Sequence, residues 1–250
     1  MLRVTANTQL MREIVDLLSV LTEEAKMSWG EKGLTVNVVD GSHVALLSCT
    51  FSNACFETYE VEPVEIGLEL GKLRDLLTLA GSSDLVEIDC DDAVGTVNIR
   101  VGEVHRILRG LDTGTMRGAK LPKLDWAEYS SATIGAEKLS RALRAAKFVG
   151  ELVDLSIDSK ELRVSADGLA GESVAVRFES GELSELVCPS PTQCSYSMQF
   201  LDPLTRKLAS GLTEDVRVRF KEEWPLRLDW DSNDGGASWT YFLAPRVTHD

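Results

Sequence analysis

Lys138, Arg141, Arg144 and Lys147 recur every three residues in Glu137-Lys138-Leu139-Ser140-Arg141-Ala142-Leu143-Arg144-Ala145-Ala146-Lys147. At helical spacing they share one side, opposite a stripe of Leu139, Ala142, Leu143 and Ala146. Only Glu137 is acidic there. The whole chain has 40 acidic against 26 basic residues and a net charge of −14, so a cationic stripe is informative. Its chemistry is phosphate neutralisation: lysine and arginine meet a polyanion without reading its sequence. A merely solvated helix face is the bland reading of the same pattern. Further cations fall on three other predicted helices: Arg12, then Lys72 and Arg74, then Arg206 and Lys207.

Bond-making chemistry finds little support. His43, His105 and His249 are scattered. Asp40-Gly41-Ser42-His43 invites a catalytic-triad reading, but neighbours in a turn rarely have triad geometry and no oxyanion motif accompanies them. Asp89, Asp91 and Asp92 cluster at an expected hairpin turn, where a solvated loop is the simpler reading. Cys49, Cys55, Cys90, Cys188 and Cys194 form no C-x-x-C, and lack a nearby histidine that would complete a zinc site. No P-loop, G-x-G-x-x-G, G-x-S-x-G or H-E-x-x-H occurs. The expectation is no catalytic residue, no metal and no cofactor. The odd cysteine count points to a reducing compartment. No signal-peptide layout and no apolar run near 20 residues is seen, so neither secretion nor a membrane span is expected.

The elements that position these cations repeat within the chain of 250 residues. Met11 aligns with Leu139, Ile14 with Ala142, Val15 with Leu143 and Leu18 with Ala146; further on, Leu34 aligns with Leu162 and Val36 with Val164. Each half reads as a short strand, an amphipathic helix, and alternating strands around Gly30–Gly33 or Asp158–Glu161. Later, a helix at Lys72–Leu79 or Pro203–Ala209 precedes a strand at Leu85–Asp89 or Val216–Phe220. The fold class is α+β: two similar domains, 1–111 and 126–250, each with two helices packed on antiparallel sheets. Residues 112–125, rich in glycine, proline and polar residues, read as the linker. Basic helices and acidic strand regions give each half a polarised charge.

With these features in place, the chain resembles the sliding clamps of the proliferating-cell-nuclear-antigen type over nearly its whole length. The landmarks are Tyr241-Phe242-Leu243-Ala244-Pro245-Arg246, Asp40-Gly41-Ser42-His43-Val44-Ala45-Leu46, Phe56-Glu57-Thr58-Tyr59, Leu79-Ala80-Gly81 and Trp224-Pro225-Leu226, with the linker end Leu121-Pro122. Their order and spacing, together with the duplication, make the match specific. The resemblance implies three chains closed head-to-tail into a ring, helices lining the hole and sheets outside. It implies a non-enzymatic processivity factor that encircles duplex DNA and tethers replication and repair proteins. It assigns Arg12, Lys72, Arg74, Lys138, Arg141, Arg144, Lys147, Arg206 and Lys207 to the DNA-facing surface. Asp75 and Thr78 depart from the family's basic character there and imply a weaker field in the first half. The partner-peptide pocket would be His43, Val44, Leu46, Leu121, Pro122, Pro225, Phe242, Leu243, Ala244 and Pro245. The seam would lie at Val104, Arg106 and Leu108 on one side and Val174, Val176 and Phe178 on the other. Expected partners are duplex DNA, a DNA polymerase, a clamp loader, other proteins carrying a clamp-binding motif, and two further copies of the chain. A heterotrimeric clamp and a non-encircling scaffold of the same fold are the alternatives. The expected location is cytoplasmic in an archaeal or virus-infected cell, or nuclear in a eukaryote.

Overall fold

Alternation of apolar and polar residues writes most of the strands, and the burial follows it: Leu2, Val4 and Ala6 are buried while Met1, Arg3 and Asn7 are exposed. The computed structural model describes residues 1–81, 83–91, 95–116, 118–233 and 235–246. Asp92, His249 and Arg117 of the linker lie outside the described residues.

The chain divides into two units: Met1–Leu121 with Asp234–Trp239, and Pro122–Asn233 with Thr240–Asp250. The linker segment is thus shared, residues 112–121 clustering with the first unit and 122–125 with the second. The final strand is shared as well. Within the first unit, Ser52 N–H donates to Gly236 O at 2.9 Å and Phe51 meets Trp239 edge-on at 5.1 Å.

The first unit contains β1 (Leu2–Asn7), α1 (Thr8–Leu18), β2 (Glu24–Gly30), β3 (Gly33–Val39), β4 (Ala45–Ser52), β5 (Thr58–Val61), β6 (Val64–Glu69), α2 (Leu70–Thr78), β7 (Leu85–Asp91), β8 (Thr96–Val101) and β9 (Val104–Arg109). Its strands run β5-β1-β7-β8-β9 and β4-β3-β2-β6. The second unit contains β10 (Ser130–Gly135), α3 (Ala136–Lys147), β11 (Leu152–Ile157), β12 (Glu161–Asp167), β13 (Ser173–Glu179), β14 (Glu185–Val187), β15 (Thr192–Ser197), α4 (Met198–Lys207), β16 (Asp215–Phe220), β17 (Leu226–Asp231) and β18 (Ala237–Leu243). Its strands run β14-β10-β16-β17-β18 and β13-β12-β11-β15. Element for element the two orders are the same, so the weak sequence repeat is a full structural duplication.

Each helix pair covers its own unit's sheets. Asn7 caps α1 by accepting from Leu10 N at 2.7 Å, and Met11, Ile14, Val15 and Leu18 face inward with at most 1 % exposure. Leu73, Leu76 and Leu77 do the same for α2. In the second unit α3 starts at Gly135 without a side-chain cap and buries Leu139, Ala142, Leu143 and Ala146, the stripe expected from spacing.

The fourth helix begins earlier than its sequence suggests. Pro203 reads as a start signal, yet α4 opens at Met198 and runs through the proline. Proline in that place forfeits one backbone hydrogen bond. Burial of Met198, Leu201 and Leu204 holds the preceding turn helical in spite of it. Beyond Lys207 a wider turn spans Leu208–Leu212, and Gly211 (φ 95) lets the chain reverse.

The landmark motifs each have a structural job. Phe56 and Tyr59 pack with Trp29 in one aromatic cluster, with ring centroids 5.2–6.3 Å apart, and Tyr59 donates to Gly30 O at 2.6 Å. At Gly67 the chain around the start of the linker approaches so closely that a β-carbon would lie 2.6 Å from Met116 Sδ and 2.9 Å from Leu111 Cβ. Leu111 N–H donates to Gly67 O at 2.9 Å, which pins that end of the linker to β6.

Candidate functional site

Three cations of α3 are open to solvent. Lys138, Arg141 and Arg144 are exposed. No hydrogen bond or ion pair ties them to another described residue, so their charges are free for a ligand. Buried Leu139, Ala142, Leu143 and Ala146 fix the opposite side of the helix, so the three side chains stand on a rigid base.

The helices of the first unit spend their cations internally. Arg12 is exposed, but its guanidinium donates to Leu77 O at 2.8 Å and Ala80 O at 2.9 Å. Those carbonyls end α2, so Arg12 acts as a side-chain cap on that helix and complements its negative end. Leu79-Ala80-Gly81 presents one of the two, the carbonyl of Ala80. Lys72 pairs with Glu69, and Arg74 lies 3.7 Å from Asp16. Asp75 and Thr78 are exposed on the same helix, and Thr78 Oγ1 donates to Asp75 O. The helix pair of the first unit therefore offers a weaker field than that of the second.

Lys147 and Arg206 share a carboxylate. Lys147 Nζ bonds Asp202, and Arg206 reaches both of its oxygens, Nε to Oδ1 at 3.1 Å and Nη2 to Oδ2 at 2.9 Å. Asp202 is 4 % exposed. Burial alone would raise its pKa, but the hydrogen bonds from Lys147 and Arg206 outweigh that and lower it. Lys207 is half-buried at the end of α4.

The residues assigned to the partner pocket divide between the units. In the first, Asp40 shapes the loop. Its Oδ1 accepts from Val44 and Ala45 N–H at 2.7 Å each, and its Oδ2 from Ser42 N–H at 2.8 Å. His43 takes φ 58 at the tip and is exposed; Val44 and Leu46 are half-buried. Leu121 is 47 % exposed. Burial raises the Asp40 pKa and the three backbone donors lower it further, leaving it depressed.

In the second unit Pro122, Pro225, Ala244 and Pro245 are half-buried. Leu243 has no exposed surface and Phe242 only 7 %. These two serve as packing beneath the tail, and Ala244 and Pro245 are the members that reach the surface. Arg246 N–H donates to Ser195 O at 2.8 Å, which fixes the tail on β15.

A network that sequence reasoning missed supports this tail. Arg227 lies over the Trp126 ring at 5.0 Å and the Phe242 ring at 5.6 Å. Its guanidinium binds Asp229 Oδ1 at 2.8 Å, and Arg219 binds Oδ2 of the same carboxylate. Thr240 Oγ1 adds a bond of 2.9 Å to Asp229 Oδ1. Trp126 follows Asp125, which caps the short turn Trp126–Glu128. The available signal was Arg227 and Asp229 on alternate positions of a strand, both on its polar side.

Val104, Arg106 and Leu108 lie on β9, the terminal strand of its sheet among the described strands. Val174, Val176 and Phe178 lie on β13, also terminal. Val104 is exposed, Val174 and Val176 are half-buried, and Leu108 and Phe178 are buried. Arg106 donates to Lys72 O at 3.1 Å, and Arg177 lies 3.7 Å from Glu161.

Among the described residues, no group of three or more His, Cys, Asp or Glu side chains is placed to hold a metal, and no helix is long and apolar enough to cross a membrane. Asp40 and His43 share a tight turn in which Asp40 is spent on backbone donors. That occupation leaves the aspartate no role in a triad.

The depressed carboxylates predict an acid response. Asp40 and Asp202 have folded pKa values below their unfolded ones, so the stability they add is full above about pH 4 and is lost as pH falls through the folded values. Thermal melts should fall steeply below about pH 4, and Asp40→Asn should flatten that fall. A melting temperature unchanged between neutrality and pH 3 would contradict the assignment.

A family model described as "Proliferating cell nuclear antigen, N-terminal domain" matches residues 1–107. A DNA polymerase sliding clamp of Natronomonas pharaonis is 29% identical over 239 residues, 94% of each chain. One from Methanocorpusculum labreanum is 27% identical over 253 residues, covering both chains fully. The solved A. fulgidus PCNA, bound to the C-terminal region of FEN-1, superposes with a TM-score of 0.91 at 24% identity over the whole of both chains. PCNA from Thermococcus kodakaraensis superposes at 0.87 with 21% identity, over 98% of this chain and 100% of that one. Family model, full-length relatives and fold agree in one likeness: over its whole length the chain is similar to DNA sliding clamps of the PCNA type.

Proposed function

We propose that the chain is a polymerase processivity clamp that closes with two further copies into a ring around duplex DNA. The carrying observation is the row of three cations on α3, Lys138, Arg141 and Arg144, without a partner among the described residues and set on a rigid helix in a protein of net charge −14. Duplex DNA is a dense polyanion, and Lys138, Arg141 and Arg144 suit sequence-independent contact with its phosphates. The acidic remainder disfavours contact elsewhere on the surface. The work is binding and tethering: a protein held by the ring stays at high local concentration on its template.

Ring closure would use β9 of one copy against β13 of the next. Both are terminal strands with strand-forming residues, and an open sheet edge is a ready site for pairing. Clamp-binding peptides would meet the surface formed by Ala244, Pro245 and Pro225 in the second unit. The FEN-1 segment bound by A. fulgidus PCNA is the model for such a partner.

Light scattering after size exclusion tests the assembly. The expected mass is three times the 27.4 kDa of the chain. A species that stays at 27.4 kDa at both low and high salt would exclude the homotrimer and leave a mixed ring of different chains.

A further inference from the structure

Five cations on the helices of the second unit fall into two kinds. Lys138, Arg141 and Arg144 extend without a partner among the described residues, whereas Lys147 and Arg206 converge on Asp202 from two different helices. Asp202 is buried, and it still carries the counter-charge for both. The edge of the Arg206 guanidinium that would grip a phosphate in two-point fashion is used on this carboxylate. Drawing Lys147 or Arg206 away would leave a buried carboxylate short of a donor, in exchange for a phosphate contact screened by solvent and salt.

On the reading that this face meets duplex DNA, we propose that Asp202 is a positioning residue that holds Lys147 and Arg206 back from the phosphates and so limits the strength of the grip. Two cations then count as one charge at this corner, and Arg141 and Arg144 carry most of the contact. A limited grip suits a ring that must break and remake each phosphate contact as it moves. The arrangement differs from a surface ion pair, because the carboxylate is inside and the cations bend to it.

The test is the salt dependence of binding to a short fluorescent duplex, read by anisotropy between about 50 and 200 mM salt. Each phosphate contact contributes about 0.9 to the magnitude of the slope of log affinity against log salt. In the otherwise unchanged protein, Arg144→Gln should lower that magnitude by about 0.9, and Lys147→Gln by clearly less. Asp202→Asn should raise it by about 0.9 to 1.8 and tighten binding at low salt. In the Asp202→Asn background Lys147→Gln should then cost about a full 0.9. A purely structural Asp202 would change the melting temperature and leave the slope alone. An unchanged or lowered slope in Asp202→Asn overturns the inference, as does an equal loss from Lys147→Gln and Arg144→Gln. That last comparison decides the matter even if Asp202→Asn does not fold. If Arg144→Gln itself leaves the slope unaltered, the DNA-facing assignment of this surface falls and the inference with it.

Discussion

Arg141→Glu combined with Arg144→Glu is expected to abolish stimulation of a polymerase on primed DNA while the protein still folds and assembles. Both side chains are exposed and unpaired among the described residues, and both sit opposite the buried stripe of α3, so their replacement leaves the core untouched. Each lost charge-assisted contact is worth roughly 1.5–3 kcal/mol, so removing two weakens duplex binding by about 100-fold or more before repulsion is counted. A charge reversal at the cation of α1 in the first unit should behave differently. Arg12→Glu removes the cap on Leu77 and Ala80 carbonyls and places a negative charge at the negative end of α2. Its main effect should be on melting temperature, with a smaller effect on DNA binding. Equal loss of stimulation from both variants, or full stimulation by the Arg141/Arg144 pair, would contradict the division of labour between the units.

Arg227→Ala should cost the second unit about 2–4 kcal/mol, because it removes a cation from between two rings and leaves Asp229 with Arg219 and Thr240 alone. For a chain of this size that lowers the melting temperature by about 2–4 °C per kcal/mol. Trp126 and Phe242 lose their common partner, so the tail bearing Ala244 and Pro245 should shift and clamp-binding peptides should bind more weakly. Arg227→Lys should recover little, since an ammonium has neither the flat face nor the two-point fork that this place uses. Titration calorimetry with a clamp-binding peptide, alongside a thermal melt, checks both effects. Wild-type peptide affinity in Arg227→Ala would show that the network holds the fold without shaping the tail.

Periodicity made much of this legible. The inner stripes of α1 and α3 were readable because three- and four-residue spacing of Met11, Ile14, Val15 and Leu18, or Leu139, Ala142, Leu143 and Ala146, has one helical meaning. The duplication followed from the same pattern. What escaped depends on long-range contacts. Arg12 and Arg141 look alike in sequence, yet one donates to carbonyls at the end of α2 and the other bonds no described residue. Asp202 gives no local sign of being buried between Lys147 and Arg206, since Lys147 lies on another helix. Pro203 misplaces the start of α4 because local propensity was overridden by burial of Met198 and Leu201. Leu243 belongs to a motif read as a binding surface, but a side chain with no exposure contributes packing instead.

The most direct test of the clamp itself is topological. The protein would be loaded with a clamp loader onto a nicked circular duplex, separated from free protein by gel filtration, and the circle then cut once. A ring that encircles DNA and holds it only through sequence-independent phosphate contacts should co-elute with the circle and be lost from the cut, linear form. Equal retention on circle and linear duplex would mean that the protein adheres to DNA without encircling it, and would contradict the account.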